Sequence, residues 1–223
     1  MEKISKRVSE YLSTNPCLLQ AVQLGVVNTS SLARYIMKEI GTQKYNAVVA
    51  ALKRYPQHNP SLESEYRKIL RQSRIEAYFS ISNITVKNTP EVFNKLSNLY
   101  KGIVELGGKF RAIQGVQGTV IVVDSGNTNR VMDVFGQNVL SVKEDLGELV
   151  IISPEVIQDI RGYVAYISSI LASNGINIYQ IASFYTDLTF IMEEKFMNLG
   201  LSILSRLSQS PQVAINGSEN HQQ

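Results

Sequence analysis

The chain has 223 residues, of which 44% are hydrophobic and 18% are charged, and these fractions are typical of a folded globular protein rather than a disordered or fibrous one. No apolar run is long enough to span a bilayer, and the N-terminal segment MEKISKRVSEYLS lacks the apolar core of a signal peptide. We therefore expect a soluble, cytoplasmic protein without a membrane partner.

Residues that carry catalytic or metal chemistry are sparse. The single cysteine, Cys17, cannot form an internal disulfide, and at an apolar helix start it is expected to be a small buried residue. With His58 and His221 as the only histidines, a zinc or haem site is not expected. The sequence contains no nucleophile–base pair and no nucleotide-binding fingerprint, so we expect no enzymatic activity and no cofactor.

Charge is distributed unevenly along the chain. Residues 1–75 contain 12 Lys and Arg against 5 Asp and Glu, a net charge of +7, whereas residues 76–223 contain 10 against 14, a net charge of −4. This asymmetry suggests two modules with different partners. A basic module suits a polyanion such as DNA, because neutralised phosphates release counterions. A solvated basic face without a partner explains the same charges.

Apolar residues at helical spacing predict helices over residues 2–14, 17–24, 30–40 and about 43–55. The five-residue segment GVVNT separates the second and third helices, which is close to the spacing of a helix-turn-helix. We interpret residues 1–58 as a helical, helix-turn-helix-like domain. The two prolines of PQHNP, residues 56–60, interrupt the chain, and residues 59–75 are predicted to form a charged connecting helix.

The third predicted helix presents hydroxyl and basic groups on one face, and such groups bind phosphates and base edges. Because any three-helix bundle needs the same apolar pattern, a helical module that does not bind DNA remains an alternative. The candidate DNA-binding residues are Ser30, Ser31, Arg34, Tyr35 and Lys38.

From residue 76 the pattern changes to strand, helix, strand, strand, helix, strand up to residue 145, and the same order recurs over residues 146–209. The second unit lacks a recognisable final strand, and residues 139–144 and 147–153 are interpreted as two separate strands. This order predicts an α+β fold in which the N-terminal helices precede two ferredoxin-like βαββαβ units. Residues 210–223 are polar and are expected to be a flexible tail.

The segment IRGYVAYISSILASNGINIYQIASFYTDLTFIMEE, residues 160–194, resembles an ACT domain, and is most similar to the tandem ACT pair at the regulatory end of aspartokinases. The first unit resembles an ACT domain only in its order of elements, with Gly107-Gly108-Lys109-Phe110 as the counterpart of Gly175-Ile176-Asn177-Ile178. The N-terminal helices resemble modules that precede ACT domains in uncharacterised archaeal proteins.

The resemblance implies an amino-acid effector bound at loops of the ACT pair, often across an interface between paired domains. A glycine at the end of the helix permits positive φ, and the helix N-terminus offers free N–H groups to an anion. The loop before this helix is longer than the Gly-Pro-Gly type of many ligand-binding ACT domains and carries an arginine. The candidate effector-binding residues are Asp159, Ile160, Arg161, Gly162, Gly175, Ile176, Asn177 and Ile178.

These features together predict a ligand-responsive regulatory protein, a transcriptional regulator that senses an amino acid through its ACT pair and forms a homodimer through those units. The alternative is a regulatory subunit that does not bind DNA and docks on an amino-acid biosynthetic enzyme. A third interpretation is that the ACT pair serves only in dimerisation and Asn177 is a solvated polar residue.

Overall fold

A computed structural model describes residues 3–55 and 61–209, with the side chains of residues 61 and 62 excepted. The chain divides into two compact units, Met1–Ser64 and Glu65–Gln223. The predicted break at residues 56–60, the predicted tail at 210–223 and both histidines lie outside the described residues.

The first unit contains helices at the positions that the apolar pattern predicts. The most deeply buried side chains recur at spacings of three and four residues, as in Val8 and Leu12 of the first helix and Ala33 and Ile36 of the third. Cys17 is exposed, so the expectation of a buried cysteine was wrong. The helices are α1 (Ile4–Ser13), α2 (Pro16–Gln23), α3 (Thr29–Glu39) and α4 (Tyr45–Lys53).

Over the described residues 65–209, the second unit combines α-helices with one sheet. A helix precedes the first strand, and helices and strands then alternate in the predicted order. The elements are α5 (Ser61–Gln72, which begins in the first unit), β1 (Arg74–Val86), α6 (Pro90–Val104), β2 (Phe110–Gln114), β3 (Thr119–Asp124), α7 (Thr128–Phe135), β4 (Val139–Ile152), α8 (Tyr163–Ser173), β5 (Ile178–Phe184), β6 (Asp187–Glu193) and α9 (Met197–Gln209).

The six strands form an antiparallel sheet in the order β2-β3-β1-β4-β6-β5. The two long central strands, β1 and β4, pair with each other along their whole length. Only the end of β1 pairs with β3, and only the end of β4 pairs with β6. Ser80 in β1 and Asp145 in β4 have φ of 53° and 55°, just before the paired residues Ile81 and Leu146. The two long strands therefore have an irregularity at equivalent positions, just before the segments that pair with β3 and with β6.

This pairing divides the sheet into two halves of the same topology. The first half comprises the end of β1, α6, β2, β3, α7 and the start of β4. The second half comprises the end of β4, α8, β5, β6 and α9, and its fourth strand is the beginning of β1, where residues 74–78 pair with β4. The predicted α+β class with ferredoxin-like units is confirmed by this topology.

Two details of the predicted organisation were wrong. The strands expected at 139–144 and 147–153 are one continuous strand, β4, which both halves share. The final strand that the second unit seemed to lack is present, but it precedes the first half in the chain. A pattern that assigns consecutive residues to one unit cannot detect a strand that comes from an earlier part of the chain.

The sheet folds over so that the faces without helices meet. In a flat sheet β2 and β6 would lie about 19 Å apart, at about 4.8 Å per strand, yet the Arg111 guanidinium on β2 donates a 3.0 Å hydrogen bond to Thr189 Oγ1 on β6. Buried Val122 and Ile191 from the two halves belong to one apolar cluster. Helices α6 and α7 cover the outer face of the first half, and α8 and α9 cover that of the second.

Helix α5 is a structural part of the second half. Its side chains Ile69 and Leu70 are buried in the core formed by β4, β6, α8 and α9. Helix α5 therefore packs into this core from its second turn onward, and residues 74 and 75, which were predicted to belong to the connecting helix 59–75, instead begin β1.

Candidate functional site

The second half contains a cavity of about 220 Å³ where the loop between β4 and α8 meets the turn between β5 and β6. In a βαββ unit these two connections lie at the same end of the sheet, so the topology itself brings them together. Apolar walls come from Ile157, Ile160, Val164 and Leu188. The cavity is small, and a small molecule is the ligand that it can enclose.

The loop and the turn that form the cavity are joined by hydrogen bonds. The backbone N–H of Ser153 donates to the Thr186 carbonyl at 3.0 Å, and the Tyr185 hydroxyl donates to the Glu155 carboxylate. Tyr185 has a φ of 51°, which is uncommon for a residue with a large side chain. Strained backbone of this kind often occurs at ligand sites.

Helix α8 starts at the cavity without a side-chain cap. Gly162, at the N-cap, has a φ of +84° and no side chain that could accept from the first turn. The first N–H groups of any α-helix have no intrahelical acceptor, and they carry the positive end of the helix dipole. The N–H groups of Tyr163 and Val164, two residues that line the cavity, are therefore suited to an anionic group.

Tyr163 is a second polar group at this position. It is 2% exposed, lines the cavity, and its hydroxyl has no hydrogen bond of normal geometry, although Ser73 and Ser153 lie close enough to influence it. Burial raises the pKa of the Tyr163 hydroxyl, which stays protonated at neutral pH. The hydroxyl oxygen is fully buried near Ser73 and Ser153, so it does not open onto the cavity that the rest of Tyr163 lines.

The equivalent place in the first half is closed. There the connection between β1 and α6 has three residues, 87–89, instead of the ten of 153–162. Asn88 Nδ2 donates to the carbonyls of Gly115 at 2.7 Å and Val116 at 3.3 Å, and Thr119 donates to Asn88 Oδ1 at 2.8 Å. Thr89 accepts from the Val92 N–H, so α6 has the side-chain cap that α8 lacks.

The predicted effector-binding residues occupy two places. Asp159, Ile160, Arg161 and Gly162 belong to the loop before α8, and Ile160 lines the cavity. The other four, 175–178, follow the opposite end of α8, about 16 Å away for an 11-residue helix.

The residues of the second set behave as the sequence pattern predicts. Gly175 has a φ of +78°, Ile176 is buried and Asn177 is exposed. Gly107 in the first half also has a φ of +78°, which supports its pairing with Gly175. The structure brings none of these four residues to the cavity.

The sequence interpretation missed the residues of the β5–β6 turn. Ser183, Tyr185, Thr186 and Asp187 line the cavity, yet in the sequence they resemble an ordinary polar turn between two strands. The βαββ order could have indicated them, because it places this turn beside the loop that precedes α8.

A buried ionic cluster joins the two halves on the inner faces of the folded sheet. Glu148 of β4 is fully buried and forms ion pairs with Lys109 and with Arg111, the latter at 3.3 Å. Burial lowers the pKa of Lys109, and the attraction of Glu148 opposes this effect. At the equivalent position of the other half the contact is neutral, since Asn83 Nδ2 donates to Gln180 Oε1 at 2.6 Å.

The predicted DNA-binding residues all lie on the exposed face of α3, with the buried residues Leu32, Ala33 and Ile36 on its inner face. The residues that the structure describes offer Arg34 and Lys38 no carboxylate within ion-pair distance, and the Tyr45 ring lies 6.0 Å from the Arg34 guanidinium. The exposed residues are Ser30, Ser31, Arg34, Tyr35 and Lys38.

Residues 141–198 match the family model for the ACT domain. The match runs from β4 to the start of α9 and includes the whole cavity-forming loop and turn, so it supports the predicted resemblance for the second half. The match does not include the N-terminal helices. No match identifies these helices as a helix-turn-helix or as a module of archaeal proteins. No curated protein matches the chain. Within residues 3–55 and 61–209, no helix is long and apolar enough to cross a membrane.

Several solved structures share part of this fold. The aspartokinase alpha and beta subunits are 17% identical with a TM-score of 0.48, over 60% of this chain and 95% of theirs. The ligand-free regulatory subunit of aspartate kinase from Thermus thermophilus is 15% identical with a TM-score of 0.46, over 60% and 95%. Aspartate kinase from Clostridium acetobutylicum is 13% identical with a TM-score of 0.49, over 60% and 34%. The strand order and pairing themselves define the fold.

Proposed function

We propose that the chain is a non-enzymatic regulatory protein whose second half binds an amino-acid effector in the cavity at the β4–α8 loop. The observation that carries this proposal is the difference between the halves. In the second half the loop encloses a cavity beside an uncapped helix, whereas Asn88 and Thr89 fill the equivalent place in the first half. The ACT-domain match over this region supports the assignment.

A thermal-shift screen of the twenty amino acids tests this proposal. An effector that binds only the folded state stabilises it by RT ln(1 + [L]/Kd), about 2.7 kcal/mol at a concentration 100 times Kd. Val164→Trp fills the cavity from the first turn of α8 and should abolish the stabilisation. Val104→Trp is the matched control, because Val104 has the same 39% exposure on α6 in the first half. A screen without any stabilising amino acid overturns the proposal.

The response is transmitted to a partner protein, an amino-acid biosynthetic enzyme on which a homodimer of this chain docks. Support for dimerisation comes from β5, which ends the strand order and carries the exposed apolar residues Tyr179, Ile181 and Phe184. Sedimentation velocity should give a dimer, and Ile181→Lys should give a monomer. A wild-type monomer at all accessible concentrations contradicts this part of the proposal.

DNA is a second candidate partner, favoured by the exposed cations Arg34 and Lys38 on α3. Fluorescence anisotropy with a labelled 30-base-pair duplex tests whether the chain binds DNA. DNA binding through this helix predicts an affinity that falls with salt and is lost in the Arg34→Glu/Lys38→Glu variant. An unchanged affinity in that variant, or no binding at low salt, removes the DNA candidate.

A further inference from the structure

The cavity of the second half has one charged wall. Among its described lining residues, Asp187 is the one acidic residue, and no lysine or arginine lines the cavity. Its carboxylate accepts a 3.3 Å hydrogen bond from the neighbouring Thr186 hydroxyl, and the described residues offer it no cation within ion-pair distance. A half-buried carboxylate without a counterion favours a ligand that carries a positive charge.

The start of α8 supplies the opposite polarity. The N–H groups of Tyr163 and Val164, at the uncapped start of α8, are hydrogen-bond donors in residues that line the cavity. Carboxylates bind to such uncapped helix starts. A ligand that has an ammonium group and a carboxylate therefore satisfies both Asp187 and the helix.

Beside the uncharged polar residues Gln158, Ser183, Tyr185 and Thr186, the cavity has an aliphatic wall, which favours an uncharged side chain in the ligand. Ile157, Ile160 and Leu188 are aliphatic, so an acidic side chain would be buried without a cation. A basic side chain would need a second carboxylate. The nearby Glu155 already accepts a hydrogen bond from the Tyr185 hydroxyl. An aliphatic side chain loses water and gains contacts at no electrostatic cost.

We propose that this cavity selects an α-amino acid with an uncharged aliphatic side chain and that Asp187 is the specificity-determining residue that binds its ammonium group. This inference rests on the proposed function, because it concerns the same cavity. It goes further in naming the class of amino acid and the residue that recognises it.

Isothermal titration with defined probes tests the inference. L-isoleucine, L-leucine and L-valine should bind at least about tenfold more tightly than L-glutamate and L-lysine. N-acetyl-L-isoleucine, which lacks the ammonium group, should lose at least about tenfold in affinity for the unaltered protein. This comparison needs no variant, so it does not depend on how any substitution folds.

The variant Asp187→Asn removes the charge and keeps the shape of the side chain. It should weaken L-isoleucine binding at least about tenfold, whereas Asp133→Asn, at an exposed aspartate on α7, should leave it unchanged. Tighter binding of a charged amino acid, or equal binding of L-isoleucine and its N-acetyl form, overturns the inference and leaves the proposed function standing. Failure of all amino acids to bind overturns both.

Discussion

The two halves of the folded sheet share one topology and differ in what their connecting loops do. In the first half a three-residue connection and the side chain of Asn88 tie the start of α6 to the β2–β3 turn. In the second half ten residues span the same step, and a cavity remains between the loop and the β5–β6 turn. The longer connection therefore leaves a cavity beside the start of α8, whereas the short connection leaves none at the start of α6.

The inner contacts between the halves give the largest expected effect. Glu148→Gln leaves the half-buried Lys109 and Arg111 without the charge of the fully buried Glu148, and breaking a buried ion pair in this way costs about 3 kcal/mol. Asn83→Ala at the equivalent neutral contact removes one hydrogen bond and should cost about 1 kcal/mol. Urea unfolding followed by circular dichroism measures both free energies.

Glu193→Gln is the surface control for that measurement, because its pair with Lys195 is exposed and should contribute little to stability. Equal losses for Glu148→Gln and Asn83→Ala would contradict the larger effect expected for the buried ion pair.

The glycine at the start of α8 gives the next largest effect. Gly162→Ala forces alanine to a φ of +84° and places its Cβ 2.7 Å from the Tyr66 hydroxyl, so we expect a loss of about 2 kcal/mol. Gly107→Ala and Gly175→Ala, at φ of +78° in open space, should each lose about 1 kcal/mol. Thermal unfolding ranks the three, and an equal loss in all of them would exclude a steric contribution from Tyr66.

Asn88→Ala tests whether the first half is closed by this side chain. The variant removes the hydrogen bonds to Gly115 and Val116, and we expect a loss of about 1 kcal/mol in the free energy of unfolding. The shortness of the connection should still prevent amino-acid binding at this position. Calorimetric titration that finds a second site per chain in the variant would show that Asn88 alone blocks it.

Tyr66→Phe gives the smallest expected effect. Its hydroxyl donates to the Arg161 carbonyl at 2.8 Å near the surface, and its loss should cost about 0.5 kcal/mol. The variant should also reduce the cost of Gly162→Ala, because it removes the hydroxyl that a Cβ at 162 would meet. A double-mutant cycle measures this coupling, and strictly additive costs would contradict the contact.

Local sequence patterns predict the elements of the second half well, because each depends on neighbouring residues. The order of helix, strand, strand and helix after β4 and the positive φ of Gly175 are as the local patterns predict. The shared strand β4 and the fourth strand contributed by β1 were missed, since strand pairing over more than sixty residues leaves no local trace. Four of the eight predicted effector-binding residues, 175–178, lie at the end of α8 that is away from the cavity. Asp187 comes to lie beside the β4–α8 loop only in the folded chain, so a local pattern could not indicate it.

Chemical-shift mapping of the ¹⁵N-labelled chain with saturating L-isoleucine tests whether the effector binds in the second half alone. Binding there predicts perturbed amide signals in residues 157–164 and 183–188 and unchanged signals in residues 87–92 and 114–119. Perturbations of equal size in the two halves, or confined to the first, would contradict the claim that the second half alone holds the effector.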